Sequence, residues 1–259
     1  MRRSLAMKLS ATGLAALVGF SVLSVAQGGL FVSEKEIERQ YRIEWLSMKK
    51  HVPIYPDKRV QNYAACVASQ IVDTLDDEFH DLDWEIIVFD DDQQNAQVMP
   101  GGKIAVYSGI LSVADTPAEF AAVLGHEVAH LTQGHVMERQ RRAARADAVV
   151  LLGNAATGLG GMIQDATTLA MVLPFNRDQE SEADAVGMQY MARAGYDPRA
   201  ALELWHKMYD LNGDRPQPEF TSSHPAPETR MRDLAPHLAG ALVDYNKALD
   251  SGKRPNCGL

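Results

Sequence analysis

Charged residues dominate the stretch from Ser33 to Lys50, yet Ile37, Tyr41 and Trp45 recur within it every four residues. That spacing predicts an amphipathic helix with a single apolar stripe. Val60, Ala64, Val67 and Ile71 mark the apolar face of a second predicted helix, over residues 59–75. The period then changes. Trp84-Glu85-Ile86-Ile87-Val88-Phe89 has the aromatic and β-branched content of a strand, which Asp90 to Asp92 end. Residues Lys103 to Tyr107 read as its partner, with Pro100-Gly101-Gly102 as the turn signal before them, so a small sheet is expected. Asp115-Thr116-Pro117-Ala118-Glu119 is a strong helix start: Thr116 suits the cap, Pro117 the first helical position, and Glu119 completes a capping box. The largely apolar helix it opens runs through Phe120, Val123 and Leu124 to at least Leu131.

Ala148 to Gln164 carries no charge, but Gly153, Gly158, Gly160 and Gly161 interrupt it, which argues against a spanning helix. A mobile segment or helical hairpin over the cleft is expected there, with peripheral membrane contact as the alternative. At the N-terminus, Arg2, Arg3 and Lys8 precede an apolar run from Leu9 to Val25 that ends in Ser24-Val25-Ala26. This is the pattern of a secretory signal peptide over residues 1–26, cleaved after Ala26. The competing reading, an uncleaved anchor, suffers from Gly13 and from a run short of the ~20 apolar residues a span needs. No internal repeat or low-complexity linker divides the remainder, so 27–259 is expected to be one domain.

The formal charge of −9 and the lack of a dense Lys/Arg stripe argue against a nucleic-acid partner. Arg139, Arg141, Arg142 and Arg145 lie at helical spacing and are expected to form a solvated face. Cys66 and Cys257 are an even count in an exported chain, and a disulfide between them would pin the C-terminal tail to the second helix. Two unpaired thiols are the alternative.

The chemistry concentrates in Gly125-His126-Glu127-Val128-Ala129-His130. Residues four apart on a helix lie nearly above one another, about 6 Å along the axis, so His126 and His130 can converge on one metal ion. Glu127 projects about 100° around the helix from His126, where its carboxylate can meet a water that the metal activates without ligating the metal. Chance alone gives an H-E-x-x-H in this composition with a probability on the order of one per cent. A catalytic zinc site takes three protein ligands. His135 falls five residues after His130 rather than six, and Gly134 is also out of place, which excludes the extended H-E-x-x-H-x-x-G-x-x-H pattern. The better candidate lies in the acidic helical segment Asn176 to Asp184, where a ligating Glu180 is set against the alternative of a solvated acidic patch. Asp184 lies one turn further on, placed to orient a ligand histidine through its second ring nitrogen, while Glu182 points away.

Taken together, Asn95-Ala96 with Met99-Pro100-Gly101-Gly102, Ala122 to His130, Glu180-Ser181-Glu182-Ala183-Asp184, and Ser223-His224-Pro225 with Arg230 resemble one family. It is the gluzincin metallopeptidases related to HtpX and the CAAX prenyl proteases, in particular their periplasmic branch with BepA, LoiP and YcaL. The resemblance implies a mainly helical α+β zincin-like domain with a small sheet beside the active-site helix, and one zinc ion held by His126, His130 and Glu180 with Asp184 behind. It also implies that the hairpin from Asn95 to Tyr107, with Gly101 and Gly102, offers an edge to which a substrate adds as a strand. His224 can, by the same resemblance, approach the zinc as a fourth ligand and hold the enzyme inactive. Alternatively, assisted by Arg230, it can stabilise the oxyanion; a capped loop histidine is the remaining reading. The expected function is periplasmic zinc endopeptidase, with Glu127 as base and misfolded or unassembled envelope proteins as substrates. The alternative is a zinc-stabilised chaperone or adaptor that binds extended strands with little proteolysis.

Overall fold

The computed structural model describes residues 33–143, 145, 160–212, 224 and 227–259. The expected signal peptide lies outside these residues, as does the glycine-broken stretch from Ala148 as far as position 159. Helix α1 (Glu34–His51), capped by Ser33, and α2 (Lys58–Val72), capped by Asp57, follow the two predicted apolar stripes. After the short α3 (Asp77–His80) come strands β1 (Glu85–Phe89), β2 (Ala96–Met99) and β3 (Lys103–Tyr107). A 3-10 turn, Ser108–Ser112, leads to α4 (Pro117–Thr132). Residues 135–143 form α5, followed by α6 (Gly160–Arg193), α7 (Arg199–Asn212), α8 (Pro227–Leu234) and α9 (Leu238–Asp250). The result is a mostly helical α+β arrangement.

The sheet has the order β1-β3-β2, with β1 parallel and β2 antiparallel to β3. The residue pattern foretold β1 and β3 but not β2, whose Ala-Gln-Val-Met lacks a run of β-branched residues. Pro100-Gly101-Gly102 is therefore the turn between β2 and β3, with φ values of 83° at Gly101 and 77° at Gly102 that glycine adopts without strain. Alternation along the strands divides the sheet's two faces. Val88, Ala96, Val98, Ile104 and Val106 join the main core with α2 and α4, whereas Phe89, Met99 and Ala105 pack against Trp45 of α1. Trp45 also donates its indole N–H to Glu85 at 2.7 Å, and Lys49 reaches the same carboxylate at 2.9 Å.

Helix α4 is the axis of the molecule, buried at every position from Glu119 to Leu131. Its capping box forms as expected: Thr116 Oγ1 accepts from the Glu119 N–H at 3.2 Å, and the Glu119 carboxylate accepts from the Thr116 N–H at 3.1 Å. The disulfide Cys66–Cys257, with Cα atoms 5.7 Å apart, ties α2 to the C-terminal tail. Arg141 and Arg142 pair with Glu34 and Glu138, so these arginines are engaged locally on a partly exposed helix surface. No described helix is long and apolar enough to cross a membrane.

Helices α4 and α6 make the most extensive contact between elements. They touch at Gly125 and Gly187: a Cβ on Gly187 would stand 2.6 Å from the His126 backbone nitrogen and 2.7 Å from the Gly125 carbonyl carbon. Backbone on both sides cannot yield cheaply. Gly187→Ala is therefore expected to cost about 1–3 kcal/mol through overpacking and to weaken metal binding by parting the helices. Chemical denaturation and a zinc titration measure both, and a variant unchanged in both would show that the close approach is not needed.

Candidate metal centre

Two helices and one loop residue supply the site. His126 and His130 project from α4 one turn apart. Glu180 and Asp184 project from α6 one turn apart, on the stripe that continues through Gly187. One ligand atom from each of His126, His130, Glu180 and His224 can be chosen so that all lie within 4.8 Å of one another, and all four residues are buried. The His126 and His130 Nε2 atoms are 3.0 Å apart, and His126 Nε2 is 3.2 Å from His224 Nδ1. The Glu180 carboxylate lies 3.3 Å from His126 Nε2, 3.4 Å from His130 Nε2 and 2.9 Å from His224 Nδ1. Tetrahedral zinc with bonds near 2.0–2.1 Å needs donor atoms roughly 3.3–3.4 Å apart, so the set fits zinc in both chemistry and spacing.

The surrounding charges favour a cation as well. Glu127, Glu180 and Asp184 are buried in one site beside the guanidinium of Arg230, a cluster rich in acidic oxygens. Burial opposes the charge on Glu180, but His224 and the hydrogen bonds from His126, His130 and His224 hold its carboxyl well below the usual range. Asp184 is likewise kept low against its burial, chiefly by Arg230. Burial and Arg230 oppose protonation of His126, yet its bonds to Asp184 and Glu180 push it up to about 9. His130 goes the other way, well below its ordinary value, because burial outweighs Glu180.

Behind the donors, Asp184 Oδ1 accepts from His126 Nδ1 at 3.0 Å, which turns Nε2 toward the cluster. Arg230 grips Asp184 with a two-pronged contact, Nε to Oδ2 at 2.7 Å and a terminal nitrogen to Oδ1 at 2.6 Å. Its guanidinium lies 3.6 Å from the ring centre of Trp205, which also meets His126 edge-on. Arg230 thus engages Asp184 and Trp205, and its other terminal nitrogen lies 3.3 Å from the Glu180 carboxylate. Glu127 Oε2 accepts from the Val98 N–H of β2 at 3.1 Å, while its buried Oε1 has no hydrogen bond among the described residues and faces His224 Nε2 at 3.5 Å.

Of the residues expected to meet substrate, Asn95 is half-buried at the head of β2, its Oδ1 2.9 Å from the Ala96 N–H. Gly101 and Gly102 form the far turn of the hairpin, where Gly102 backs onto Trp84. No described contact joins these two glycines to the histidines. Trp205 and the Val98 N–H escaped the reading of residues, since a tryptophan at helical spacing reads as core and a backbone donor carries no sequence signal.

Residues 58–237 match the sequence profile of peptidase family M48. The chain belongs to that family. It is similar to the mitochondrial metalloendopeptidase OMA1 of Schizosaccharomyces pombe, at 36% identity over 165 residues that cover 63% of this chain and 49% of that protein. OMA1 of Arabidopsis thaliana is 35% identical over 154 residues, covering 60% of this chain and 31% of that protein. The beta-barrel assembly-enhancing protease of Yersinia pestis is 29% identical over 221 residues, covering 76% of this chain and 44% of that protein. This M48 chain thus spans about half or less of the length of these relatives. The motifs pointed toward the beta-barrel assembly-enhancing branch; the mitochondrial relatives broaden that likeness.

Asp184→Ala should lower zinc affinity by about 10–100-fold, because it removes the partner that orients His126 and frees Arg230 from its two-pronged contact. Titration against a competing chelator checks this, and wild-type affinity in the variant would remove Asp184 from the centre.

Proposed function

We propose that this chain is a zinc-dependent endopeptidase. The observation that carries the reading is a four-donor buried cluster with an unbonded carboxylate oxygen, Glu127 Oε1, directly beside it. His126, His130 and Glu180 would hold the metal, and Asp184 and Arg230 would fix their orientation. Held there, zinc would supply Lewis-acid polarisation of the scissile carbonyl and would lower the pKa of water toward ~7. Glu127 takes a proton from the attacking water as its oxygen bonds to the carbonyl carbon. The same carboxylate returns that proton to the amine as the C–N bond breaks. The Val98 N–H holds one oxygen of Glu127 in place, leaving the other for the transfer.

His224 fits the role of a fourth donor that keeps the resting site closed, since its Nδ1 lies against Glu180 and His126. Substrate is proposed to add as an extended strand along the free edge of β2, with Asn95, Gly101 and Gly102 on that hairpin. The N-terminal leader pattern and the likeness to a beta-barrel assembly-enhancing protease support export to the periplasm and a task on misfolded or unassembled envelope proteins. The mitochondrial OMA1 relatives make location the finer question, which cell fractionation with N-terminal sequencing of the mature protein answers.

Glu127→Gln is expected to bind zinc like the wild type and to lose at least roughly 100-fold in casein hydrolysis, the scale of a lost general base. Retained hydrolysis would end the mechanism, and wild-type protein indifferent to a chelator would favour the strand-binding adaptor instead. His224→Ala is expected to raise proteolysis by opening the fourth position; a fall would assign His224 to oxyanion stabilisation.

A further inference from the structure

His135 is not among the four clustered donors, yet it is buried against one of them. Its Nδ1 lies 3.0 Å from His130 Nδ1, and its Nε2 lies 3.2 Å from Glu182 Oε2. The His135 side chain is only 4% exposed, while that of Glu182 is 56% exposed. Gly134 makes this contact. In an unbroken α-helix a residue five positions on from His130 points roughly 140° away from it. Here α4 ends at Thr132, Gly134 adopts a φ of 72°, and α5 restarts at 135. The chain thereby folds His135 back under His130.

Two ring nitrogens 3.0 Å apart share one proton, so one donates and the other accepts. His130 turns Nε2 to the donor cluster, and an imidazole that ligates through Nε2 carries its proton on Nδ1. His135 Nδ1 must then accept, which places the proton of His135 on Nε2, facing the Glu182 carboxylate. Each nitrogen has one role. We propose that His135 is a positioning residue of the metal centre, fixing the tautomer and ring plane of His130 and being held in turn by Glu182. The inference rests on the metallopeptidase reading above. It gives the two ligand histidines different supports: His126 leans on a carboxylate clamped by Arg230, and His130 on an imidazole backed by a solvent-facing carboxylate.

The test compares wild type with His135→Phe, His135→Gln and Glu182→Ala by zinc titration against a competing chelator and by the visible absorption of the Co2+-substituted protein. Phe keeps a ring but cannot accept, so zinc affinity should fall about 10–100-fold and the Co2+ bands should shift. Gln offers an amide oxygen for the same proton and should recover most of that loss. Glu182→Ala, altering an exposed side chain, should weaken binding roughly threefold and keeps the question open to measurement where His135→Phe fails to fold. Wild-type affinity and spectrum in His135→Phe, His135→Gln as weak as His135→Phe, or no effect of Glu182→Ala where the Phe variant does not fold would each overturn the proposal. Wild-type protein that takes up no zinc would instead defeat the metallopeptidase reading.

Discussion

The bare backbone contact between Gly125 and Gly187 is the constraint on which the centre depends. Helix axes packed through ordinary side chains stand 8–10 Å apart, and the lower end requires small residues at the crossing. Here a Cβ on Gly125 would lie 2.6 Å from the Gly187 carbonyl oxygen, so neither helix can carry a side chain at that point. Glu180, Asp184, Gly187 and Met191 recur at spacings of four, three and four, which makes one stripe on α6. The glycine therefore sets the depth at which the same stripe presents its carboxylates to His126 and His130. The spacing of the donors is set by a residue that meets His126 only through its backbone and offers no donor atom of its own.

That arrangement is costly to assemble, because buried charges lose their hydration and must be repaid by partners. The partners are ordered in depth. Trp205 gives the Arg230 guanidinium a flat surface, Arg230 grips Asp184, and Asp184 turns His126. Removing any member leaves the next one facing a low-dielectric interior without its counterpart, which is why the network acts as a unit. Helix α4 can run buried along its length because its polar groups are concentrated at two places. Glu119 near the start is satisfied by Thr116 and by Lys207 at 2.6 Å, and the other buried polar residues, His126, Glu127 and His130, belong to the centre.

Much of this was legible in the residues, and the failures have a common cause. Helix α4 announced itself through a capping box, and the H-E-x-x-H spacing fixed which face carries the histidines. Both are local rules, in which the partners are within one turn. Glu180 and Asp184 share a helix face by a four-residue spacing that is again local, whereas their meeting with α4 is long-range and was implied by the family resemblance. Strand β2 escaped the residue pattern, although the resemblance implied a hairpin from Asn95 to Tyr107, because pairing with β3, rather than β-propensity, makes it a strand. His135 was set aside as a ligand by its five-residue spacing from His130, and the four clustered donors do not include it. Its contact with His130 could not be read from periodicity, because Gly134 breaks the period between them. Trp205 and Arg230 meet through tertiary packing of α7 against α8, for which no spacing rule exists.

The sheet ties the base to the surface on which a substrate is proposed to lie. In the register of β2 with β3, the Asn95 carbonyl accepts from the Tyr107 N–H at 3.1 Å, so Ala96 and Val98 turn their backbone groups toward the edge that no described strand pairs. Neither outward N–H is idle: Asn95 Oδ1 covers that of Ala96, and Glu127 Oε2 takes that of Val98. An unpaired edge invites any passing strand, and side chains that occupy its donors blunt the invitation. On the endopeptidase reading, a strand adding at this edge competes for the N–H that positions the catalytic carboxylate. On that reading, substrate registration along β2 and the orientation of Glu127 would be coupled through the one Val98 donor.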